Sequence, residues 1–314
     1  MSAPTAAYRS LVAIRHLEAE TLRHIVDLGA EFKEKIESGQ EIAGIPRRAV
    51  GLLFFEDSTR TRVSFEQACN YLGYRVINFS GSGSSLSKGE TLKDTLLTLR
   101  HERLEAVVMR HKRSGVCNLA ERYFDGPILN AGDGEHEHPT QALGDAMTIL
   151  ESKGTLTGLR IAIVGDVMHS RVARSNAWLL HKLGNEVRFV GPRSLMPAHT
   201  GKLPAEVHYD LRSGIQGADV VMCLRLQRER MADGRLSSVG EYSRLYQINR
   251  GSLRVCSPDA IVMHPGPLNR GVEIDDFTAD GPKSVISQQV TNGVFVRMAS
   301  LAWAFGDAAP TRTN

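Results

Sequence analysis

Three hydroxyls and a guanidinium sit together in "STRT", Ser58 to Thr61, shortly after the apolar run "AVGLLFF". Hydroxyl groups donate to oxyanions, and an arginine presents a planar fork of N–H donors. If a helix starts here, its first turn adds backbone N–H groups with no intrahelical acceptor and a partial positive charge. Ser58, Thr59, Arg60 and Thr61 would then form a compact cradle for an oxyanion or a phosphate. A plainer assignment uses the same residues: Ser58 caps the helix and Arg60 is solvated. The loop GxxxxGK[ST] is absent, so nucleoside-triphosphate chemistry of that type is unsupported.

Other stretches carry groups of similar character. Arg110 ends the run "AVVMR", where it serves as a second anion contact or as a surface arginine. "GDGEHEHPTQ" brings His138 to a helix start, with Gln141 one turn on and on the same face. Such a pair can polarise a carbonyl and hold an amide; a capping histidine beside an exposed glutamine is the alternative. Asp133, His136 and His138 lack the HExxH spacing and no cysteine accompanies them, which argues against a metal. Arg171, near a helix start in "VGDVMHSRVARSN", suits a carboxylate. The missing GxGxxG there weakens a dinucleotide reading. In "LRLQRER", Arg225 and Gln227 lie two residues apart on one side of an extended chain; Arg228 and Arg230 read as a charged loop. "HPGPLNRG" is a Pro/Gly turn whose backbone carbonyls can accept N–H groups of a ligand. Lys88, in the polar loop "SSLSKGET", has solvation as its ordinary fate. Together Arg60, Lys88, Arg110, Arg171 and Arg225 make a set rich in anion donors. No carboxylate pair and no nucleophile–base couple stands out beside them. That describes a site which aligns two anionic substrates and lets them react.

Particular elements must position these groups. "RAVGLLFF" is short, apolar and followed by polar residues, as a buried strand is. The helix after it carries Phe65, Ala68, Cys69 and Leu72 on one face and ends at Gly73. "YRVINFS", "LEAVVMR" and "GPILNAG" read as strands, with the loop "GSGSSLSKGE" and the helix "TLKDTLLTLRHE" between the first two. Leu22, Ile25, Phe32 and Ile36 predict an earlier helix over Glu18 to Glu37. The pattern restarts at "LRIAIVGDV", then the helix "SRVARSNAWLLHKLG" ending at Gly184. Strands follow within "EVRFVGP", "ADVVMCLR" and "AIVMHPGP". Strand and helix alternate, so the fold class is α/β: two doubly wound parallel sheets with helices on both faces. "HPTQALGDAMTILESKG" is the helix expected to join them. Most candidate groups fall at the C-terminal ends of strands, where open α/β sheets bind ligands.

Bulk composition narrows the class. A chain of 314 residues has room for about two domains and for a sizeable core without staples. A net charge of +3 without a Lys/Arg block argues against nucleic acid as a partner. Cys69, Cys117, Cys223 and Cys256 are widely spaced with no CxxC, which fits reduced thiols better than a disulfide frame or zinc site. "MSAPTAAYRSLVAIRHLEAE" has no signal-peptide core, and charges interrupt every apolar run before it reaches membrane-spanning length. A soluble, cytoplasmic protein with no membrane partner is expected.

Taken in order, these stretches resemble the aspartate carbamoyltransferase family, the catalytic chains of pyrimidine (UMP) biosynthesis. The likeness rests on "STRTRVSFE", "SSLSKGET", "MRH", "HPTQ", "HSRVARS", "LRLQRER" and "HPGPLNRGVEI", running from about Phe54 to Val296. "STRT" and "HPTQ" are shared with ornithine carbamoyltransferases. Those enzymes typically carry an "HCLP" segment and an "SMG" loop; here Pro265 stands where that Cys would be, and no SMG occurs.

The resemblance implies transfer of the carbamoyl group of carbamoyl phosphate to the amine of L-aspartate, giving N-carbamoyl-L-aspartate and phosphate, with no cofactor and no metal. It implies that Ser58, Thr59, Arg60 and Thr61 hold the phosphate, and that Thr61, Arg110 and His138 contact the carbonyl oxygen. Gln141 and backbone carbonyls of Pro265, Gly266 and Pro267 would hold the carbamoyl NH2. Arg171, Arg225 and Gln227, joined by Lys88, would bind aspartate. Residues 1–142 with 288–314 would form the carbamoyl phosphate domain and 143–287 the aspartate domain, the C-terminal helix "VTNGVFVRMASLAWAF" returning to the first. The family works as a homotrimer in which a Ser and a Lys of the neighbouring chain enter each site. Lys88 matches that Lys, and Ser84, four positions earlier, matches the Ser better than Ser85. Regulatory chains or a dihydroorotase in a larger assembly are left open. The alternative within the class is an ornithine-type or other carbamoyltransferase. From other classes come a dinucleotide oxidoreductase, opposed by the missing GxGxxG, and a non-catalytic phosphate-binding subunit, opposed by intact Arg110 and His138.

Overall fold

A computed structural model describes residues 8–42, 44–80, 89–227 and 238–307. Ser84, Ser85, Lys88, Arg228 and Arg230 lie outside the described residues. The chain divides into two compact units, Met1–Met147 with Asn292–Asn314, and Thr148–Thr291.

The first unit holds strands β1 (Ala49–Phe54), β2 (Arg75–Ser80), β3 (Ala106–His111) and β4 (Ile128–Asp133). All pairs are parallel, in the order β2-β1-β3-β4. Every residue of β1 is buried, which is why this run shows no polar alternation: a parallel strand is covered on both faces. Gly51 is required by close packing, since a Cβ there would lie 2.4 Å from Leu104 Cδ2. The helices are α1 (Ala19–Glu37), α2 (Thr59–Tyr71), α3 (Leu92–His101) and α4 (Val116–Ala120). Leu96, Leu99, Cys117 and Ala120 of α3 and α4 share a core with Leu53, Val107 and Met109 of the sheet. The chain leaves β1 sideways to β2, then crosses back past β1 to β3. With right-handed crossovers this reversal puts α2 and α3 on opposite faces. It also opens a crevice between the C-terminal ends of β1 and β3.

The second unit's sheet has α5 (Pro139–Lys153) before it. Its strands are β5 (Arg160–Val164), β6 (Glu186–Val190), β7 (Glu206–His208), β8 (Val220–Cys223) and β9 (Ile261–Met263). They are parallel in the order β7-β6-β5-β8-β9. Its helices are α6 (Arg171–Lys182), α7 (Leu211–Ile215), α8 (Val239–Tyr246) and α9 (Asp276–Ala279). The same reversal occurs, now between β5 and β8. β7 leaves no signal in the sequence: "EVH" is a three-residue edge strand, nowhere fully buried, too short to show a period.

The division into units falls inside α5 and inside α10 (Ile286–Phe305). Glycines let the helices of the first unit meet closely. A Cβ on Gly144 would lie 3.5 Å from Gly293 Cα, and one on Gly29 3.3 Å from both Met147 Sδ and Val296 Cγ2. Every residue from Phe295 to Phe305 is buried, so this part of α10 has no polar stripe and is a core helix. Among the described residues no helix is long and apolar enough to cross a membrane.

Candidate active site

In the first unit, Ser58 is the N-cap of α2: its φ of −162° is extended and its Oγ accepts the Thr61 N–H at 3.4 Å. The helix therefore begins at the residue where the anion cradle was expected. Thr61 is buried and its carbonyl accepts from Ser64 Oγ at 3.0 Å; Thr59 and Arg60 are exposed. Capping does not compete with anion binding. It satisfies one first-turn N–H, and a helix start leaves four without an intrahelical acceptor.

Arg110 reaches the same crevice from the adjacent strand. Phe54 is in register with Arg110 across the β1–β3 ladder, and the Phe55 N–H donates to the Arg110 carbonyl at 2.9 Å. The Arg110 side chain is mostly covered. Its Nη2 donates to Glu56 Oε1 at 2.7 Å and its Nη1 to the Ala131 carbonyl at 3.2 Å. Glu56 thus sets the guanidinium's direction, a role its place in "FFEDS" did not signal.

Beyond β4 the chain is pinned by Asp133. Its carboxylate accepts from Gly115 N–H at 2.7 Å, from Asn130 Nδ2 at 2.7 Å and from Glu137 N–H at 3.3 Å, and lies 3.1 Å from His136 Nδ1. Asp133 and His136 are therefore a loop clasp. Among the described residues no group of three or more His, Cys, Asp or Glu is placed to hold a metal ion. The clasp delivers His138, buried, to the start of α5, with Pro139 as the first helical residue, a position that needs no N–H. The His138 carbonyl accepts from Gln141 N–H at 3.1 Å and Ala142 N–H at 3.3 Å. The Gln141 side chain donates Nε2 to Asp145 Oδ1 at 2.9 Å.

The second unit gathers its candidates by the same topology. Ser170 caps α6, accepting from Ala173 N–H at 3.1 Å, and Arg171 is the first residue of that helix. Arg225 and Gln227 follow β8, with Leu226 fully buried between them. Gln227 Nε2 donates to the His169 carbonyl at 3.2 Å, so the segment after β8 is tied to the turn that precedes α6. His169 is itself held by Asp166, with Nδ1 2.9 Å from Oδ1. The turn Pro265–Pro267 follows β9. His264, buried, accepts the Gly266 N–H on Nδ1 at 2.8 Å and presents Nε2 to Glu273 Oε1 at 3.1 Å. A ring nitrogen that accepts carries no proton, so the Nε2–H tautomer is the one present. Gly266 has a φ of +67°, a conformation that suits glycine. Asn269 Nδ2 then donates to the Leu226 carbonyl at 3.0 Å, which joins this turn to the segment bearing Arg225 and Gln227.

Two other features lie away from these crevices. A cavity of about 1030 Å³ opens at the N-terminal ends of β1 and β2, lined by Arg47, Arg75, Arg100 and Arg103 among others. The candidate residues of that unit lie at the opposite strand ends, so this cavity is not the candidate site. The thiols offer no nucleophile: burial pushes Cys69 up to about 12 and Cys256 up to about 11, the reverse of an activated cysteine.

A family model for the carbamoyl-P binding domain of aspartate/ornithine carbamoyltransferases matches residues 9–151, and one for the Asp/Orn binding domain matches residues 157–304. The chain belongs to the aspartate/ornithine carbamoyltransferase family. It is 52% identical over 293 residues to the aspartate carbamoyltransferase catalytic subunit of Granulibacter bethesdensis, spanning 93% of each chain. It is similar to the solved aspartate transcarbamoylase of Trypanosoma cruzi in complex with carbamoyl phosphate and aspartate: TM-score 0.85, 32% identity, 96% of this chain and 98% of that one. It is also similar to the ornithine carbamoyltransferase of Pyrococcus furiosus: TM-score 0.86, 27% identity, 98% of this chain and 100% of that one. The carbamoyltransferase fold is thus common to both branches, and the fold alone does not choose the amine. The second family domain runs on to residue 304, whereas α10 from Asn292 onward packs within the first unit.

Proposed function

We propose that the chain is the catalytic chain of an aspartate carbamoyltransferase. The observation that carries this reading is the chemistry at the β5–β8 crevice: two guanidinium groups, Arg171 and Arg225, with Gln227 tied to the turn before α6. An amino acid with two carboxylates matches two arginine forks. Ornithine would bring an ammonium where aspartate has its second carboxylate, and would meet like charge. The name of the 52% identical relative agrees with this choice.

In this reading Ser58, Thr59, Arg60 and Thr61 hold the phosphate of carbamoyl phosphate, while Thr61, Arg110 and His138 donate to its carbonyl oxygen. Gln141 and backbone carbonyls of Pro265, Gly266 and Pro267 accept from the carbamoyl NH2. The neutral amine of L-aspartate attacks the carbonyl carbon. As the C–N bond forms, the π pair moves onto oxygen, and the donors around that oxygen stabilise the oxyanion. Collapse of the intermediate breaks the C–O bond to phosphate, which leaves with the bonding pair and takes up the proton that the amine loses. No side chain need act as a nucleophile; alignment and charge stabilisation carry the reaction. Loss of one oxyanion donor costs ~2.7–4 kcal/mol of transition-state stabilisation in such sites. The same reading makes the protein a cytoplasmic homotrimer in which Ser84 and Lys88 serve a neighbouring chain's site.

The purified chain, given carbamoyl phosphate with either L-aspartate or L-ornithine, is expected to form N-carbamoyl-L-aspartate and phosphate, and no citrulline. Citrulline at a comparable rate, or neither product, overturns the assignment.

A further inference from the structure

Gln141 can serve as an acceptor for an NH2 group only if its amide faces the right way, and the residue that decides this belongs to none of the motifs. Asp145 lies one turn further along α5, fully buried, and its Oδ1 accepts the Gln141 Nε2 at 2.9 Å. An ionised carboxylate accepts hydrogen bonds and donates none. The NH2 end of the Gln141 amide is therefore turned to Asp145, and Oε1 is turned away from it. An amide has one donor end and one acceptor end, so fixing the first fixes the second.

The buried carboxylate is in turn supported. Arg297 of α10 is buried, donates Nη1 to the Gly293 carbonyl at 2.8 Å, and lies over the Phe65 ring at 5.3 Å. A Cβ on Gly293 would lie 2.5 Å from that Nη1, so glycine makes room for the guanidinium. Burial lowers the Arg297 pKa to about 10; the negative charge of Asp145 opposes the fall and the positive charge of Arg110 adds to it. Asp145 thus offsets a charge that the core would otherwise hold alone.

We infer that Asp145 is a positioning residue for substrate choice: by holding the NH2 of Gln141 it presents Oε1 to the substrate's NH2, and so makes the site prefer a carbamoyl to an acetyl group. This rests on the proposal that carbamoyl phosphate is the donor. Acetyl phosphate has nearly the same shape but carries CH3 in place of NH2. Against a fixed Oε1 that methyl leaves the acceptor unsatisfied, and sites built to hydrogen-bond a group discriminate strongly against analogues that lack it. If the amide can turn over, Oε1 is no longer held towards the substrate and the discrimination weakens.

The test is the ratio of kcat/KM for carbamoyl phosphate to kcat/KM for acetyl phosphate, with L-aspartate saturating. Asp145→Asn keeps the shape but can donate as well as accept, so it no longer fixes the amide. The ratio is expected to fall about tenfold, the size of one neutral hydrogen bond, with the loss on the carbamoyl side. In a Gln141→Ala background the Asp145→Asn change is expected to leave the ratio where it is, because the positioned group is gone. An unchanged ratio in folded Asp145→Asn, or a further fall in the Gln141→Ala background, overturns the inference. If Asp145→Asn does not fold, the double variant with Arg297→Met removes the buried charge left without its counter-charge and takes its place. If that fails too, the side-chain NH2 signals of Gln141 in the wild-type protein decide. Slow hydrogen exchange supports the bond to Asp145, and exchange at the solvent rate overturns it. A wild-type chain that forms no carbamoyl-aspartate defeats the functional assignment instead, so the two failures are distinguishable.

Discussion

Arg225 and Gln227 share a side of the chain because Leu226 between them is fully buried. One leucine in the core thus turns two polar side chains away from it, as alternation along an extended chain requires. If Arg225 makes a two-bond fork with an aspartate carboxylate, lysine is a poor replacement, since an ammonium is a point charge without the planar fork. Arg225→Lys is expected to lower kcat/KM for L-aspartate by about 10–100-fold, the range for losing a charge-assisted hydrogen bond. Carbamoyl phosphate affinity, measured by calorimetry in the absence of aspartate, is expected to hold. Equal loss for both substrates would detach Arg225 from aspartate. At this scale the sequence displayed the residue types but hid their partners. Arg110 and Gln141 were visible as polar groups beside an apolar run or a helix start. Glu56 and Asp145, which orient them, were not, because a carboxylate in a sequence shows neither its burial nor the donor it meets. Asp145 alone left a trace: it lies four residues after Gln141, the spacing at which helical side chains meet.

Strands and helix starts were the more legible elements, and each for a physical reason. The apolar runs of β1, β3 and β5 read as buried strands because parallel strands are covered on both faces; glycines with positive φ at Gly73 and Gly184 marked helix ends. The order of strands within each sheet was not legible, since parallel pairing leaves no local signature, and it is that order that sets the two crevices. The turn after β3 shows how an element's end is closed by a titratable group. His111 is the last residue of β3, and its Nδ1 accepts the Arg113 N–H at 2.9 Å. Burial, with the Arg113 charge, lowers the His111 pKa from its ordinary value, against the opposing charges of Asp133 and Glu56. The sign follows from linkage. A depressed folded pKa means that the unfolded chain binds the proton more readily, so this contribution is complete above about pH 6.5, the ordinary histidine value, and is lost as pH falls below it. Protonation on Nδ1 would also break the bond to Arg113. Thermal unfolding between about pH 7.5 and 5 is expected to show a steeper acid loss for the wild type than for His111→Asn, whose carbonyl can still accept that N–H but does not titrate. Parallel curves for the two proteins would remove His111 from the acid sensitivity.

At the scale of the whole molecule, two sheets of different size repeat one device: a first strand flanked on one side by its successor and on the other by a strand reached after crossing back. In each unit the first strand leads into a helix capped by a serine, Ser58 or Ser170, with an arginine in its first turn. Each unit so presents cationic donors at its own crevice, and the proposed reaction needs two anions. Lys88, the further cation expected, lies outside the described residues and is proposed to serve a neighbouring chain. A mixing experiment decides this. Arg60→Ala and Lys88→Ala chains should each be nearly inactive alone. In a closed three-fold ring each site takes Arg60 from one chain and Lys88 from the next. Every ring that contains both kinds of chain then has one position where an intact Arg60 meets an intact Lys88, whether the composition is two to one or one to two. After mild dissociation and exchange, confirmed by native mass measurement, mixed rings should recover about one third of the wild-type rate by that counting. If Lys88 instead served its own chain's site, every site in a mixed ring would keep one defect. A mixture that exchanged its chains and stayed inactive would then place Lys88 in its own chain's site.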